Sequence, residues 1–429
     1  MNISASDVKD AKLTATVTIE SADVDAAIKK AYKDAAKKYR FQGFRPGKAP
    51  RPVIDSLLGA EYIHGMATET IVNDAMPSVL NELDIVPTKE GHVSDDVEPA
   101  KDHEDFTYTI EFSLRPSCEL SSYDAVEIEM PPAEVTESEI DAQVDMLMNY
   151  RAEFEDVEGR AVESGDYVTV DVKSVKGAED YECQDRSVAV GDENTIKEID
   201  EALIGANVGD TKTATWTPEG ADEAVTAEIT VKGIKTKKLP ELTDEFVKEN
   251  FGFDDIAAMR DAIKIELEQD KASNLPTLKE NRAVAALAER LQLEEMDADY
   301  EQSVFQELGQ NFLNNLAARS MTLDSWLQAS GISADQFIAD LHHQADDVAR
   351  ESLALDSLAR ELNIEVTDED IDNEFKNAGV SDVEARKAEF VAEGRIPALR
   401  DSIRRSKAVD HLVENAKVTE VDATAKDAE

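Results

Sequence analysis

The sequence contains few of the features that mark secreted, membrane-bound or disulfide-rich proteins. It has two cysteines, Cys118 and Cys183, which suits a reducing compartment; the sequence leaves a disulfide between these two open, but nothing else in it suggests a disulfide scaffold. No apolar run approaches the roughly eighteen residues that indicate a membrane-spanning helix. The first residues lack the basic and apolar regions of a secretory signal peptide. The sequence therefore predicts a cytoplasmic protein without a membrane partner.

Positive charge is also scarce. The chain has 45 Lys and Arg against 93 Asp and Glu, a net charge of −48. Residues 1–115 hold 14 basic and 20 acidic residues, a net charge of −6, which leaves −42 for residues 116–429. Because a strongly anionic surface repels nucleic acid, only the N-terminal part suits an approach to RNA.

One cationic island interrupts this acidity. Between Lys29 and Arg51, nine basic residues are opposed by a single acidic one, Asp34. Most of the island lies on a predicted helix with Ser21 as its N-cap and apolar residues at three- and four-residue spacing. Crowded like charges cost free energy, and an anionic partner such as a polyphosphate backbone would offset that cost. The alternative interpretation is a solvated helix face.

The island ends in a turn that cannot continue the helix, because it contains Gly43, Pro46, Gly47 and Pro50. We expect this turn to present Phe44, Arg45 and Lys48 at an exposed tip. An exposed ring between two cations suits a mixed protein and nucleic-acid surface. The turn is not a nucleotide-binding P-loop, because no Ser or Thr follows Lys48 and a helix precedes it.

The stretch Gly43-Phe44-Arg45-Pro46-Gly47-Lys48 resembles the ribosome-docking signature of the trigger factor family, the ribosome-associated chaperones of bacteria. A second likeness to this family lies at Leu239-Pro240-Glu241-Leu242-Thr243-Asp244-Glu245-Phe246, and the resemblance spans essentially the whole chain. It implies two partners and no cofactor. The partners are the ribosome (protein and RNA at the exit site) and nascent or unfolded polypeptides, and the family pattern allows a homodimer when the protein is free.

Periodicity and the resemblance together predict an α+β multidomain fold. Period-two alternation indicates strands near Leu13–Ile19 and Phe106–Leu114. Three-and-four spacing indicates helices from Thr243 onward, one of them from Leu278 to Leu293. Thr136 with Glu139 indicates a capping box at the start of the connecting helix. The expected parts are an N-terminal α+β ribosome-binding domain, a linker with a connecting helix, a small FK506-binding-like antiparallel sheet domain, and an all-α chaperone domain. Their expected ranges are 1–115, 116–159, 160–238 and 239–429, with a disordered tail over 414–429.

For the sheet domain, the resemblance implies peptidyl-prolyl cis-trans isomerase activity, with Tyr181, Ile196 and Ile199 as the catalytic pocket residues. Three features depart from the family pattern: Lys197-Glu198-Ile199 replaces Pro-Gly-Phe, Val172 and Ala227 replace two aromatics, and the hairpin from Trp216 to Val225 is short. Isomerisation requires a dry, aromatic-lined pocket rather than an acid, base or metal. We therefore expect weak or absent activity on a conserved fold. The alternative is a sheet domain with ordinary core residues.

Other side-chain clusters predict no metal site. His342 and His343 are adjacent on a helix and point to different faces. The run Asp368, Asp370 and Asp372 resembles the start of a calcium loop, but the required Gly and final Glu are missing. It better fits an acidic first helical turn behind an N-cap at Thr367.

The helical region is the expected client surface, with adaptable methionines as contact candidates: Met146, Met148, Met259, Met296 and Met321. The predicted function is a ribosome-associated chaperone that binds nascent chains at the exit site and carries a degraded isomerase domain. The alternatives are a free prolyl isomerase, an RNA- or ribosome-binding module, and a free holdase chaperone without isomerase activity.

Overall fold

The computed structural model describes residues 1–191, 195–218 and 223–424. They divide into two compact units. The first contains Met1–Met130 and Pro276–Thr419, and the second contains Pro131–Leu275 and the C-terminal segment from Glu420. No helix in the described ranges is both long and apolar enough to cross a membrane.

The first unit begins with a four-stranded antiparallel sheet in the order β1-β2-β4-β3. Its strands are β1 (Asn2–Ala5), β2 (Lys12–Ile19), β3 (His92–Val93) and β4 (Phe106–Ser113). The predicted alternation is confirmed, because one face of the two long strands is buried through Leu13, Ala15, Val17, Ile19, Phe106, Tyr108, Ile110 and Phe112. Three helices pack on this core: α1 (Ser21–Lys38), α2 (Arg51–Leu58) and α3 (Ala60–Leu83).

The start of α1 differs from the prediction. Ser21 is the first helical residue, and Glu20 holds the N-cap position without a side-chain cap. The Ser21 N–H instead donates to the Asp105 carboxylate at 2.8 Å, from the loop before β4. A carboxylate from a distant segment thus binds a free N–H at the positive end of the helix dipole.

The rest of the first unit is mainly helical. Its remaining strands pair as β5 (Glu119–Leu120) with β12 (Leu291–Gln292), and as β6 (Glu127–Met130) with β13 (Lys417–Glu420). Its helices after Pro276 include the end of α7 (Ile256–Ala288), then α8 (Ala298–Ala318), α9 (Leu323–Ser330), α10 (Ala334–Glu361), α11 (Asp368–Asn377), α12 (Val383–Ala392) and α13 (Ile396–Asn415). The expectation of a helix to Leu293 is wrong, because Leu291 and Gln292 pair with β5.

The prediction of a disordered tail over 414–429 is wrong for its first part. Helix α13 continues to Asn415, and β13 pairs with β6, where the Lys417 N–H donates to the Val126 carbonyl at 2.8 Å. Local composition could not reveal this partner strand, which lies about 290 residues earlier in the chain. Residues 425–429 of the predicted tail lie outside the described residues.

The second unit contains an antiparallel sheet in the order β10-β11-β8-β9, with β7 also paired to β11. Its strands are β7 (Glu153–Asp156), β8 (Asp166–Lys176), β9 (Cys183–Ala189), β10 (Thr211–Trp216) and β11 (Val225–Lys238). Its helices are α4 (Glu137–Tyr150), α5 (Lys197–Leu203), α6 (Asp244–Asn250) and the first part of α7. The strands bury β-branched residues such as Val168, Val170, Ile229 and Val231.

Two predicted helix starts are confirmed. Thr136 caps α4 with Glu139 in a capping box, and Thr367 caps α11 with Asp370 in the same way. Asp368 and Asp370 lie in the acidic first turn of α11. The local sequence is enough to predict these two helix starts, because both members of a capping box lie within one helical turn.

Candidate functional site

The Gly43–Lys48 loop connects α1 to α2 and is fixed to the end of α1 by its backbone. The Gly47 N–H donates to the Ala36 carbonyl at 2.7 Å, and the Lys48 N–H donates to the Arg45 carbonyl at 2.9 Å. Gly43 and Gly47 have φ values of 85° and 78°, a left-handed conformation that favours glycine. The Gly47 contact satisfies a carbonyl in the last turn of α1, which would otherwise lack a partner.

The loop exposes the three side chains that the sequence placed at its tip. Phe44 is 41% exposed, and Arg45 and Lys48 are exposed too. Neither cation forms an ion pair within the described ranges. Phe41, just before the loop, is only 4% exposed and packs in the core of the first unit. The loop therefore has an apolar base and a tip with one ring and two free cations.

Arg51 differs from the other cations of the island. It forms an ion pair with Asp102, and its guanidinium lies 4.3 Å from the centroid of the Tyr32 ring. The bond to Asp102 raises the Arg51 pKa. Tyr32 donates to Asp55 at 2.5 Å, and its pKa is raised by burial and by that bond. Arg51 thus has a structural partner, which the local sequence, with Asp34 as its only acidic residue, did not show.

The predicted pocket residues of the sheet domain lie in one cluster. Tyr181, Ile196 and Ile199 are all half-buried and pack on the same core. The structure adds Trp216, which is 4% exposed and meets Tyr181 edge to face with 5.1 Å between ring centroids. From the sequence, Trp216 was assigned only to the end of a hairpin. Since the chain has just two tryptophans, one of them at the end of a strand could have indicated a pocket residue.

Side-chain hydrogen bonds hold two parts of the same domain. Ile196 precedes α5, and the neighbouring Thr195 hydroxyl donates to the Ala189 carbonyl at 2.8 Å. At the base of the sheet, Arg160 and the buried Asp166 make two bonds of 2.6 and 2.8 Å. Those bonds lower the Asp166 pKa. Residues 219–222 of the predicted short hairpin lie outside the described residues.

The two positions where the sequence lacks family aromatics lie on neighbouring strands. Val172, on β8, is half-buried, and Ala227, on β11, is fully buried. Their small side chains provide less aromatic surface around Tyr181 and Ile196 than the family pattern has.

The methionines proposed as client contacts separate into two groups. Met148 and Met259 are buried in the core of the second unit, at 5% and 0% exposure, and Met296 is partly buried. Met146 and Met321 are 57% and 39% exposed. Only the last two are available to a partner without rearrangement, because the buried pair fills the helix interfaces.

His342 and His343 are not grouped with other potential metal ligands in the described ranges. His342 stacks on Phe305 with 4.1 Å between ring centroids, and His343 is exposed on the next position of α10. Within the described ranges, no group of three or more His, Cys, Asp or Glu residues is placed to hold a metal ion.

The comparisons with known sequences place this chain in a class, the ribosome-associated molecular chaperones. The family model described as bacterial trigger factor protein matches residues 1–147, and that of the trigger factor C-terminus matches residues 255–414. The trigger factor of Lysinibacillus sphaericus is 30% identical over 418 residues, covering 95% of this chain and 97% of the relative. That of Halothermothrix orenii is 27% identical over 436 residues, covering 97% and 99%. The chain belongs to the trigger factor family.

A solved structure of the trigger factor chaperone also matches this chain. It is described in terms of promiscuous substrate recognition in folding and assembly. It is 19% identical, covers 96% of this chain and 99% of its own, and has a TM-score of 0.41. The family assignment rests on the sequence relatives.

Proposed function

We propose that this chaperone docks on the bacterial ribosome through Gly43–Lys48 and receives nascent polypeptides at the exit site. Phe44 is the apolar anchor, while Arg45 and Lys48 contact RNA phosphate and acidic protein groups. The observation that carries this proposal is the loop itself: an exposed ring and two cations that have no ion pair among the described residues, in a chain of net charge −48. The partner that such a surface fits is both anionic and partly apolar.

The same proposal assigns the other parts of the chain. Residues 1–115 form the docking domain, 116–159 the linker with its connecting helix, 160–238 the isomerase-type domain, and 239–429 the client-binding domain. Unfolded clients would contact exposed apolar groups, of which Met321 is an example at 39% exposure. The protein would act in the cytoplasm and could form a homodimer when free of ribosomes.

Changing the loop should abolish docking. In co-sedimentation with purified bacterial ribosomes, we expect the wild type to pellet and the Phe44→Ala/Arg45→Ala/Pro46→Ala variant to stay in the supernatant. The charge reversal Arg45→Glu/Lys48→Glu should weaken binding most at low salt, because screening is then least effective. A matched control, Phe154→Ala/Arg319→Ala, removes an exposed ring and a cation elsewhere and should bind like the wild type. Equal binding of the loop variants and the wild type would refute the proposed site.

We also propose that the sheet domain is a weak or inactive prolyl isomerase. The support is the cluster of Tyr181, Ile196 and Ile199, which places apolar groups together but provides only Val172 and Ala227 where the family has aromatics. A proline-isomerisation assay on a short Xaa-Pro peptide should give a rate close to the uncatalysed one. A rate near that of a competent FK506-binding isomerase would contradict this proposal.

The alternatives are a ribosome- or RNA-binding module and a free holdase chaperone without isomerase activity. Suppression of aggregation of a refolding client separates them, since a pure binding module would leave aggregation unchanged. Ribosome co-sedimentation then separates the docked chaperone from the free holdase.

A further inference from the structure

The outer face of α1 carries a row of cations distinct from the loop tip. Lys29, Lys33 and Lys37 are four residues apart, and Arg40 lies just past the end of the helix. All four are exposed, on the side opposite the buried Val24 and Ile28. Four residues of α-helix rise about 6 Å, so the lysines form a regularly spaced row along one face.

Carboxylates barely neutralise this row. Lys29, Lys33 and Arg40 have no ion pair in the described part of the chain. Lys37 lies 3.5 Å from Asp34, and both side chains are more than half exposed, so this pair contributes little. Other helices differ: Arg350 bonds to Asp346, and Arg386 to Glu389, within one turn.

Local helix energetics do not explain the row. Like charges four residues apart destabilise a helix, and this row contains two such pairs in succession, Lys29 with Lys33 and Lys33 with Lys37. The helix dipole favours cations only in the last turn, which includes Lys37 but not Lys29 or Lys33. If this face were only solvated and had no partner, the helix would be more stable with acidic and basic residues mixed along it, as they are around Arg350 and Arg386.

The chemistry of the face favours phosphate over protein. Its exposed residues are lysines, the small Ala22 and Ala26, and two carboxylates, Asp34 and Asp23, of which Asp23 lies in the first turn; none is a large apolar side chain. Protein interfaces place apolar and aromatic groups at their centre, whereas backbone phosphates are bound by Lys and Arg alone. The loop tip differs from this face because it adds an exposed aromatic ring, Phe44, to its two cations.

We propose that Lys29, Lys33, Lys37 and Arg40 form a second docking surface, which binds RNA phosphates, while the Gly43–Lys48 tip contacts mainly protein. The inference rests on the proposed ribosome docking and assigns it two chemically different contacts. The α1 row contributes most of the salt-dependent affinity, and the loop tip contributes the apolar anchor Phe44 and a smaller salt-dependent part through Arg45 and Lys48.

The test compares the salt dependence of ribosome binding for four forms of the full chain: the wild type, Lys29→Gln/Lys33→Gln/Lys37→Gln, the loop triple variant, and a control. The control Lys9→Gln/Lys173→Gln/Lys264→Gln changes net charge equally at exposed lysines without ion pairs in the described ranges. Each phosphate contact contributes about 0.7–0.9 to the slope of log affinity against log salt. The α1 variant should therefore lose about 2–3 from this slope and bind at least about tenfold more weakly at low salt, while the control keeps the wild-type slope.

The outcomes are separable. A wild-type slope in the α1 variant, with the loop variant still defective, overturns this inference and leaves the proposed function intact. No binding by the wild type overturns both. A photoreactive residue at position 33 identifies the partner: an RNase-sensitive adduct supports the inference, whereas an RNase-resistant adduct of ribosomal-protein size overturns it.

Discussion

Gly394→Ala should destabilise the first unit by about 3 kcal/mol, of which about 1–2 kcal/mol is left-handed backbone strain and the remainder overpacking. Gly394 has a φ of 70° and lies between α12 and α13. A Cβ there would be 2.8 Å from the Pro77 Cα and 3.2 Å from the Pro77 carbonyl oxygen in α3. Because those are backbone atoms, no side-chain rotation relieves the contact.

Gly331→Ala is the matched control. Gly331 also has a φ of 70° and follows a helix, but a Cβ there would have nothing within 4 Å. We expect it to cost only the backbone strain, about 1–2 kcal/mol. Urea unfolding followed by circular dichroism measures both variants, and equal losses would show that the Pro77 contact is unimportant.

Hydrogen exchange would locate the effect of Gly394→Ala. The same helix connection is held by Asn81, whose side-chain amide donates to the Val391 carbonyl at 2.7 Å, and by the ion pair of Arg400 and Asp84 at 2.8 Å. Faster exchange should therefore be confined to the end of α3, α12 and the start of α13. Uniformly faster exchange across the first unit would contradict a local contact.

Asp166→Ala should destabilise the sheet domain by about 2–4 kcal/mol. Removing one partner of a buried ion pair commonly costs about 3–5 kcal/mol, and the value here is reduced because Arg160 is a third exposed. Asp166 also accepts from the Glu163 N–H at 2.9 Å, so its loss leaves that N–H without its acceptor and removes two hydrogen bonds of the Arg160 guanidinium. The chain has two tryptophans, Trp216 and Trp326. In a Trp326→Phe background, the fluorescence of Trp216 therefore reports the unfolding of the sheet domain alone.

This effect should depend on pH in a defined direction. Arg160 lowers the pKa of Asp166 in the folded state below its ordinary value of about 3.9. The stabilisation is therefore fully present above that ordinary value and is lost as pH falls through the folded pKa. The difference between wild type and variant should shrink in acid. Asp171→Asn, which breaks a more exposed pair with Lys232, is the control and should have a much smaller effect.

Sequence reasoning succeeded where both partners of an interaction are close in the chain. The capping boxes at Thr136 and Thr367 lie within four residues, and the turn at Gly43 and Gly47 follows from the conformational freedom of glycine. It failed where one partner is distant, as with Asp105 at the start of α1. Composition also suggested a disordered tail where β13 pairs with β6.

By itself, the sequence determined the types of elements in the chain, the cationic island and the glycine-bounded loop, because periodicity, charge and backbone freedom are local properties. Only the tertiary structure decided which cations remain free, since Asp102 pairs with Arg51 from a segment about fifty residues away, while Lys29 and Lys33 have no such partner in the described ranges. It also decided that Trp216 completes the cluster with Tyr181, and that Gly394 must lack a side chain. Each of these depends on a close approach between segments far apart in the chain, which no local pattern records.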